Sequence, residues 1–291
     1  MNEKEKYKKP DFICIGLEKT GTTWLYKILQ THPQVFLPPK KEIRFFWEKV
    51  FIPNNNFFRR FTSSHFHNRG IQRYLLISIY FAVKNIITFN KQGIRRLIWD
   101  FKYLFLPRSY SWYNSLFTMY PERISGEITA LTYTLSEEEI ESISQKFPDL
   151  KVIIFFRNPV DRAWSKAKMK LCKHQNKSFE EISEEQWYEV FQEEFNCCPS
   201  YVDTIERWKK FFPDHRIHIN FYEKLKSDPQ VFLHEICDFL TLDINNFPNH
   251  ILQNLDTKIG KGMSYKIPKA FDSYLTQLYN NCIKEMDAYY S

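Results

Sequence analysis

Residues 16–24, with the sequence GLEKTGTTW, have types and spacing that suit the binding of a phosphate or sulfate group. An apolar run precedes them and a helical pattern follows, so we expect a turn between a strand and a helix. Such a turn directs several backbone N–H groups to one point, where the helix N-terminus adds partial positive charge. Lys19 comes two residues before Gly21, whereas a Walker A motif would have its lysine at Thr22. The segment therefore predicts an anion site without a Walker-type magnesium centre, the alternative being an ordinary tight turn.

A second anion site is predicted in residues 155–165, FFRNPVDRAWS. Arg157 follows the continuous apolar run of residues 151–156, which is typical of a buried parallel strand. Ligands of open α/β sheets bind at the carboxyl ends of such strands. Arg157 can form two hydrogen bonds to a phosphate, and Ser165, about two helical turns later, can donate another. For Arg157 alone, the other interpretation is a plain ion pair at the strand end.

Both segments depend on an alternation of strands and helices. This alternation predicts an α/β fold with a mostly parallel central sheet flanked by helices. The length of 291 residues, without repeats or a low-complexity linker, favours one domain over residues 1–291. The expected strands are 11–15, 125–129, 151–156 and 216–221, and the expected helices are 24–30, 136–147, 160–173, 201–212, 229–240 and 271–289.

Composition excludes several other classes of protein. With 43% hydrophobic and 26% charged residues, the chain is neither disordered, collagenous nor a coiled coil. The charged N-terminus shows no secretory signal, and no apolar window of about 18 residues predicts a membrane span. The six cysteines form no CxxC pair and no zinc spacing, so we expect reduced thiols, no metal site and a cytoplasmic location.

The basic charge is concentrated in one segment, residues 57–110. It contains ten Arg or Lys and one acidic residue, whereas the rest of the chain has 31 basic and 33 acidic residues. An apolar run, YLLISIYFAV, occupies residues 74–83. This insert is expected to be a helical hairpin packed on the core. Two alternatives are peripheral contact with an anionic membrane and a lid that binds an acceptor.

Taken together, the two anion segments resemble the sulfotransferases that use 3′-phosphoadenosine-5′-phosphosulfate (PAPS). Residues 19–24, KTGTTW, resemble their 5′-phosphosulfate loop, and residues 157–165 resemble their 3′-phosphate element. Residues 260–262, GKG, resemble the loop that closes over the donor. The resemblance implies PAPS as sulfuryl donor, 3′,5′-ADP as product, and no metal or nucleic-acid partner. It implies donor binding by Lys19, Thr20, Gly21, Thr22, Thr23, Trp24, Arg157, Ser165, Lys261 and Gly262.

Within that family, residues 39–46, PKKEIRFF, resemble a stretch of the glycan enzymes, which include the heparan sulfate N- and O-sulfotransferases. The resemblance makes Glu42 the catalytic base that takes the acceptor proton, and Lys19 the group that neutralises the leaving oxygen. The alternative for Glu42 is a surface acid between Lys41 and Arg44. Trp24 would stack on adenine, as the matching residue does in relatives, or else pack in the core.

One departure from the family concerns residues 126–130, GEITA. Here Ile128 replaces a lysine and Ala130 a proline, which weakens the expectation of a heparan-like acceptor. A glycan, a glycolipid and a small hydroxylated molecule all remain open as acceptors. Two other classes also remain open: a P-loop kinase of a small molecule and a catalytically silent binding module with the PAPS fold.

Overall fold

A five-stranded, all-parallel sheet in the order β2-β3-β1-β4-β5 forms the centre of the protein. The structure is a computed structural model that describes residues 7–51, 61–62, 66–88, 91–257 and 265–290. The strands are β1 (Phe12–Gly16), β2 (Val35–Phe36), β3 (Ile124–Ile128), β4 (Lys151–Phe156) and β5 (Ile217–Phe221). The parallel sheet confirms the predicted fold class; the two-residue strand β2 is too short to leave a periodic signal in the sequence.

Helices cover both faces of this sheet. Those before the third strand are α1 (Thr22–Leu29), α2 (Phe45–Phe51), α3 (Phe66–Thr88), α4 (Lys91–Phe105) and α5 (Tyr110–Ser115). Those after it are α6 (Glu137–Lys146), α7 (Pro159–Lys168), α8 (Glu184–Asn196), α9 (Tyr201–Lys209), α10 (Tyr222–Ser227), α11 (Pro229–Leu240), α12 (Asn249–Leu252), α13 (Lys269–Leu278) and α14 (Asn280–Tyr290). The Ser136 side chain accepts from the Glu139 N–H, as expected for an N-cap.

Two predicted helices differ from the observed ones in their continuity. The helix expected over residues 160–173 ends at Lys168 and continues as a π-helical turn, Met169–Lys173. The helix expected over 271–289 is two helices, because Tyr279 leaves the helical conformation and two asparagines, poor helix formers, follow it.

Alternating side chains of the central strand β1 pack on opposite faces of the sheet. Ile13 and Ile15 belong to one buried cluster, and Phe12 and Cys14 belong to another. Because both faces are buried, every position of the strand is apolar, which is why the sequence shows a continuous run.

Helices α3 and α4 form a hairpin packed on the first of these clusters. Ile71 and Tyr74 from α3, with Trp99 and Tyr103 from α4, are buried in it. The Trp99 indole N–H donates to the Leu116 carbonyl at 2.8 Å. The helical insert expected near residues 57–110 is thereby confirmed, although residues 52–60, 63–65 and 89–90 lie outside the described part of the chain.

Substitution of Ile128, at the end of β3, tests whether this face of the sheet is closed to solvent. The Ile128 side chain is 1% exposed and packs in the cluster that contains Cys14 and Trp24. Ile128→Lys would place an unpaired ammonium there, and we expect a loss of about 3 kcal/mol or more in the free energy of unfolding, measured by urea titration.

Ile128→Val, the matched control, removes one methylene group and should cost about 1 kcal/mol. Equal stability of the two variants would show that this position is not the apolar site described here.

Candidate functional site

The turn between β1 and α1 leaves the first N–H groups of α1 free of any side-chain cap. Gly21 is the N-cap residue with φ 95°, and no side chain accepts a hydrogen bond from the first turn. Thr20 is fully buried, and its hydroxyl donates to the Leu17 carbonyl at 2.6 Å, which fixes the turn from within. The positive φ at Gly21 favours glycine, and a β-carbon there would also lie 2.6 Å from the end of the Leu225 side chain. The turn therefore offers backbone donors for an anion.

Arg157, at the end of β4, contacts the same turn. Its Nη1 donates to the Lys19 carbonyl at 3.2 Å, and its guanidinium lies 4.5 Å from the centre of the Tyr222 ring. Its Nη2 is 3.6 Å from the half-exposed carboxylate of Asp161, so the ion pair considered from the sequence is present but loose. The Arg157 Nε is buried and has no hydrogen-bond partner in the described parts of the chain. Because β1 and β4 are neighbouring strands, the two predicted anion segments that follow them lie side by side.

Additional basic side chains surround the Lys19 ammonium. Burial lowers the pKa of Lys19 from its usual value, and the positive charges of Lys173, Arg157 and Lys168 lower it further. Of the acids near these cations, Glu18 has an ion pair of 2.8 Å with Lys166, and Asp161 lies 3.6 Å from Arg157. Because these like charges repel each other, a bound anion would relieve the repulsion.

Sequence reasoning missed the contribution of Lys168 and Lys173. The signal available was the series of lysines after Ser165, at positions 166, 168, 170 and 173. Periodicity alone cannot show which of these lysines face Lys19, because α7 changes into a π-helical turn at Met169.

Glu42 is connected to the turn through Lys41. The Lys41 ammonium lies 3.0 Å from the Glu42 carboxylate and 3.5 Å from the Thr22 hydroxyl. The Arg44 Nε donates to the other carboxylate oxygen at 3.1 Å. Burial would raise the pKa of Glu42, but the charges of Lys41 and Arg44 outweigh it and hold the pKa at about 2. Glu42 is therefore an ionised carboxylate beside the anion site.

A second carboxyl group, Glu127 on β3, lies near Glu42. It is 3% exposed and accepts hydrogen bonds from the Tyr113 hydroxyl at 3.0 Å and the Thr129 hydroxyl at 3.2 Å. Burial raises the pKa of Glu127 to about 7, with the negative charge of Glu42 adding to the effect. The sequence marked Glu127 only as a member of a motif, because its proximity to Glu42 depends on the order of the strands.

The remaining predicted site residues have different surroundings. Trp24 is 5% exposed, its indole N–H donates to the Leu255 carbonyl at 3.0 Å, and its ring meets Phe232 edge-on. This is the core packing that the sequence left open beside adenine stacking. Ser165 is half-buried on α7, and Thr23 is exposed on α1. Lys261 and Gly262 lie outside the described residues.

The described residues contain no group of three His, Cys, Asp or Glu side chains arranged to hold a metal ion. All six cysteines are free thiols. None of the described helices combines the length and apolar character that crossing a bilayer requires.

A sulfotransferase domain accounts for most of the sequence. The profile of that domain family matches residues 9–277, which include the turn, Glu42, Arg157 and Ser165. The chain belongs to the sulfotransferase family.

Among proteins of similar sequence are two glycan enzymes. The chain is 26% identical over 251 residues to human bifunctional heparan sulfate N-deacetylase/N-sulfotransferase 3, covering 82% of this chain and 23% of that protein. It is 24% identical over 246 residues to mouse bifunctional heparan sulfate N-deacetylase/N-sulfotransferase 4, covering 79% of this chain and 22% of that protein. The chain thus spans less than a quarter of the length of these relatives.

Solved sulfotransferases share the fold over nearly the whole chain. A sulfotransferase from Alicyclobacillus acidocaldarius has a TM-score of 0.56 at 21% identity, with 96% of this chain and 95% of that chain covered. The mouse sulfotransferase SULT7A1, in complex with PAP, has a TM-score of 0.52 at 15% identity, with 98% and 88% covered. The shared fold therefore spans nearly the whole chain, including the α3–α4 hairpin and the C-terminal helices.

The raised pKa of Glu127 predicts a specific dependence of stability on pH. Between its unfolded value of 4.5 and its folded value of about 7, the native state binds the extra proton. Stability therefore falls as pH rises through this interval, by about 3 kcal/mol in total. Glu127→Gln cannot ionise, so this part of the pH dependence of the free energy of unfolding should disappear in urea titrations between pH 4.5 and 8.

Glu42→Gln is the control for this measurement. The Glu42 carboxylate, with a pKa of about 2, contributes stability that is present above pH 4.5 and lost at lower pH. Its removal should therefore leave a fall between pH 4.5 and 7, somewhat smaller because the charge of Glu42 adds to the raised pKa of Glu127. An unchanged slope in Glu127→Gln would mean that Glu127 is ionised at neutral pH.

Proposed function

We propose that this protein transfers a sulfuryl group from PAPS to a hydroxyl or amine of an acceptor. The observation that carries the proposal is the excess of basic side chains around Lys19, beside the uncapped N-terminus of α1. Backbone donors and cations concentrated in this way suit a ligand with several anionic groups. Family membership supports sulfuryl transfer as the reaction of that ligand.

The chemistry of the site fits PAPS. The N–H groups of Gly21, Thr22 and Thr23 would hold the 5′-phosphosulfate, with Lys19 beside it. The buried Nε of Arg157, which lacks a partner among the described residues, offers a donor to the 3′-phosphate, and Ser165 offers another. Lys261 and Gly262 would complete the donor site. A bound PAP in mouse SULT7A1 supports this choice of nucleotide.

PAPS supplies the sulfuryl group and a phosphate leaving group. Lys19 stabilises the negative charge that develops on the oxygen between phosphorus and sulfur as the S–O bond breaks. Its lowered pKa makes this ammonium a better proton donor than a lysine in water. By analogy with phosphoryl transfer, positioning and charge stabilisation supply most of the catalysis.

Glu42 accepts a hydrogen bond from the acceptor hydroxyl and then its proton. With a pKa of about 2, Glu42 is a weak base toward a free hydroxyl. The hydroxyl proton becomes strongly acidic once the new S–O bond is forming, so we propose that Glu42 takes the proton late. Its role before that is to orient the hydroxyl for in-line attack, while Lys41 and Arg44 fix the carboxylate.

We propose that the acceptor is a glycan, a glycolipid or a small hydroxylated molecule. The names of the heparan sulfate relatives favour a glycan, and a glycolipid or a small hydroxylated molecule fits the same chemistry. Ile128 belongs to the apolar core, so this chain does not use that position to bind an anionic glycan. A cytoplasmic location and a single domain over residues 1–291 stay predictions.

Loss of sulfate transfer in two variants tests the proposed roles. Lys19→Ala should lower transfer from labelled PAPS by about 10²- to 10³-fold, because the leaving charge loses its partner. Glu42→Gln should lower kcat by about 10²-fold or more while the affinity for 3′,5′-ADP changes little. The assay measures labelled product with pools of glycans, glycolipids and small hydroxylated molecules as acceptors.

Lys210→Ala is the matched control, because Lys210 pairs with Glu137 on the surface and is not part of the site. It should retain full transfer. If the wild-type chain binds 3′,5′-ADP but transfers sulfate to none of these pools, a silent binding module becomes the better description. Full activity of Lys19→Ala would contradict the mechanism.

A further inference from the structure

Helix α3 directs large apolar side chains away from the core. Its inward side is formed by Ile71, Tyr74 and Ser78, which are all buried. On the other side, Leu76 is 69% exposed and Tyr80 is 65% exposed. A surface helix normally has polar residues there, so this face lacks the usual pattern.

Helix α4 also exposes large apolar side chains, and these follow a more regular spacing. Ile94, Ile98, Phe101 and Phe105 follow each other at intervals of four, three and four residues, which places them on one helical face. Their exposed fractions run from 40% to 57%. The outward apolar set of the hairpin consists of Leu76, Ile77, Ile79, Tyr80, Phe81, Ile94, Ile98, Phe101 and Phe105. Large exposed apolar patches of this kind mark interaction surfaces.

The charges of the hairpin indicate what this surface contacts. The only acid in residues 57–110, Asp100, is buried and accepts hydrogen bonds from Arg96 at 3.0 Å and Tyr74 at 2.6 Å. The described hairpin therefore exposes no carboxylate, whereas Arg73 and Lys91 are exposed. A second copy of the same basic surface would be repelled, and an anionic surface would be attracted.

The hairpin also lies next to the candidate active site. The ammonium of Lys40, two residues before Glu42, lies 5.8 Å from the centre of the Tyr74 ring on α3. Arg108, which follows α4, forms an ion pair with Glu48 on α2, the helix that begins three residues after Glu42. The inward side of the hairpin is thus packed close to Glu42, while its outward side is exposed and can contact another surface.

We propose that the outward apolar set of the hairpin docks on an anionic lipid bilayer. The apolar side chains enter the boundary between head groups and acyl chains, and the surrounding Arg and Lys side chains contact lipid phosphates. This inference goes beyond the proposed function and does not require it, since docking can be measured without sulfate transfer.

Co-sedimentation of the full chain with vesicles tests the docking. Wild-type protein should sediment with vesicles containing phosphatidylglycerol and phosphatidylcholine, much less with phosphatidylcholine alone, and less at high salt. Ile98→Glu and Phe101→Glu exchange exposed side chains, so the fold should persist by circular dichroism. Each should weaken partitioning about tenfold, because a buried apolar contact is replaced by a charge.

Val231→Glu on α11 is the matched control, an exposed apolar residue outside the hairpin, and it should sediment like wild type. Lys91→Glu should reduce binding to the anionic vesicles only. Equal sedimentation of wild type with both kinds of vesicle, or full binding by the Ile98→Glu, Phe101→Glu double variant, would overturn the proposal. A dimer in light scattering that this double variant abolishes, without vesicle binding by wild type, would assign the face to self-association and also overturn it. Binding of 3′,5′-ADP by the same variants reports separately on the proposed function.

Discussion

Repulsion among the cations clustered near the carboxyl ends of β1 and β4 is the constraint on which the site depends. Lys19, Arg157, Lys168 and Lys173 come from three separate stretches of the chain, and within its described parts no carboxylate forms an ion pair with Lys19. Such an arrangement is unfavourable for folding alone, and it is held by the packed sheet and by the hydrogen bond from Arg157 to the Lys19 carbonyl. An anion at this point would turn the repulsion into attraction.

The sheet order explains why these groups meet. Because β1 lies between β3 and β4, the turn after β1 is flanked by Arg157 on one side and by the end of β3 on the other. The Glu127 side chain points from β3 toward Glu42, while the side chain of its neighbour Ile128 packs in the core on the opposite face of the sheet. The period-two alternation of a strand thereby separates a titrating carboxyl group from an apolar position one residue away.

The two carboxyl groups differ because their partners differ. Glu42 has two cations within hydrogen-bond distance and remains ionised. Glu127 accepts hydrogen bonds from two hydroxyl groups and from the Ile43 backbone, without a cation beside it in the described residues, and it is buried, so its charged form is disfavoured near neutral pH. When Glu127 is protonated, one fewer negative charge lies beside Glu42, so the electrostatic field around Glu42 depends on pH.

The sequence could predict what depends on local pattern. The continuous run of β4, the N-cap Ser136 and the glycine turn before α1 each carry a signal within about ten residues. Contacts between distant segments were not predictable: Lys173 beside Lys19, Lys41 beside Thr22, and Glu127 near Glu42 all depend on strand order. Trp24 shows the same limit, because the residues that enclose it, Phe232 and Leu255, lie more than 200 positions away.

Thermal unfolding with added nucleotides can show whether the basic cluster around Lys19 binds a nucleotide with phosphates at both the 3′ and 5′ positions. We predict that 3′,5′-ADP raises the unfolding temperature in a concentration-dependent way and that ATP at the same concentration does not. Protection by ATP alone would favour a kinase, and protection by neither nucleotide would contradict the account.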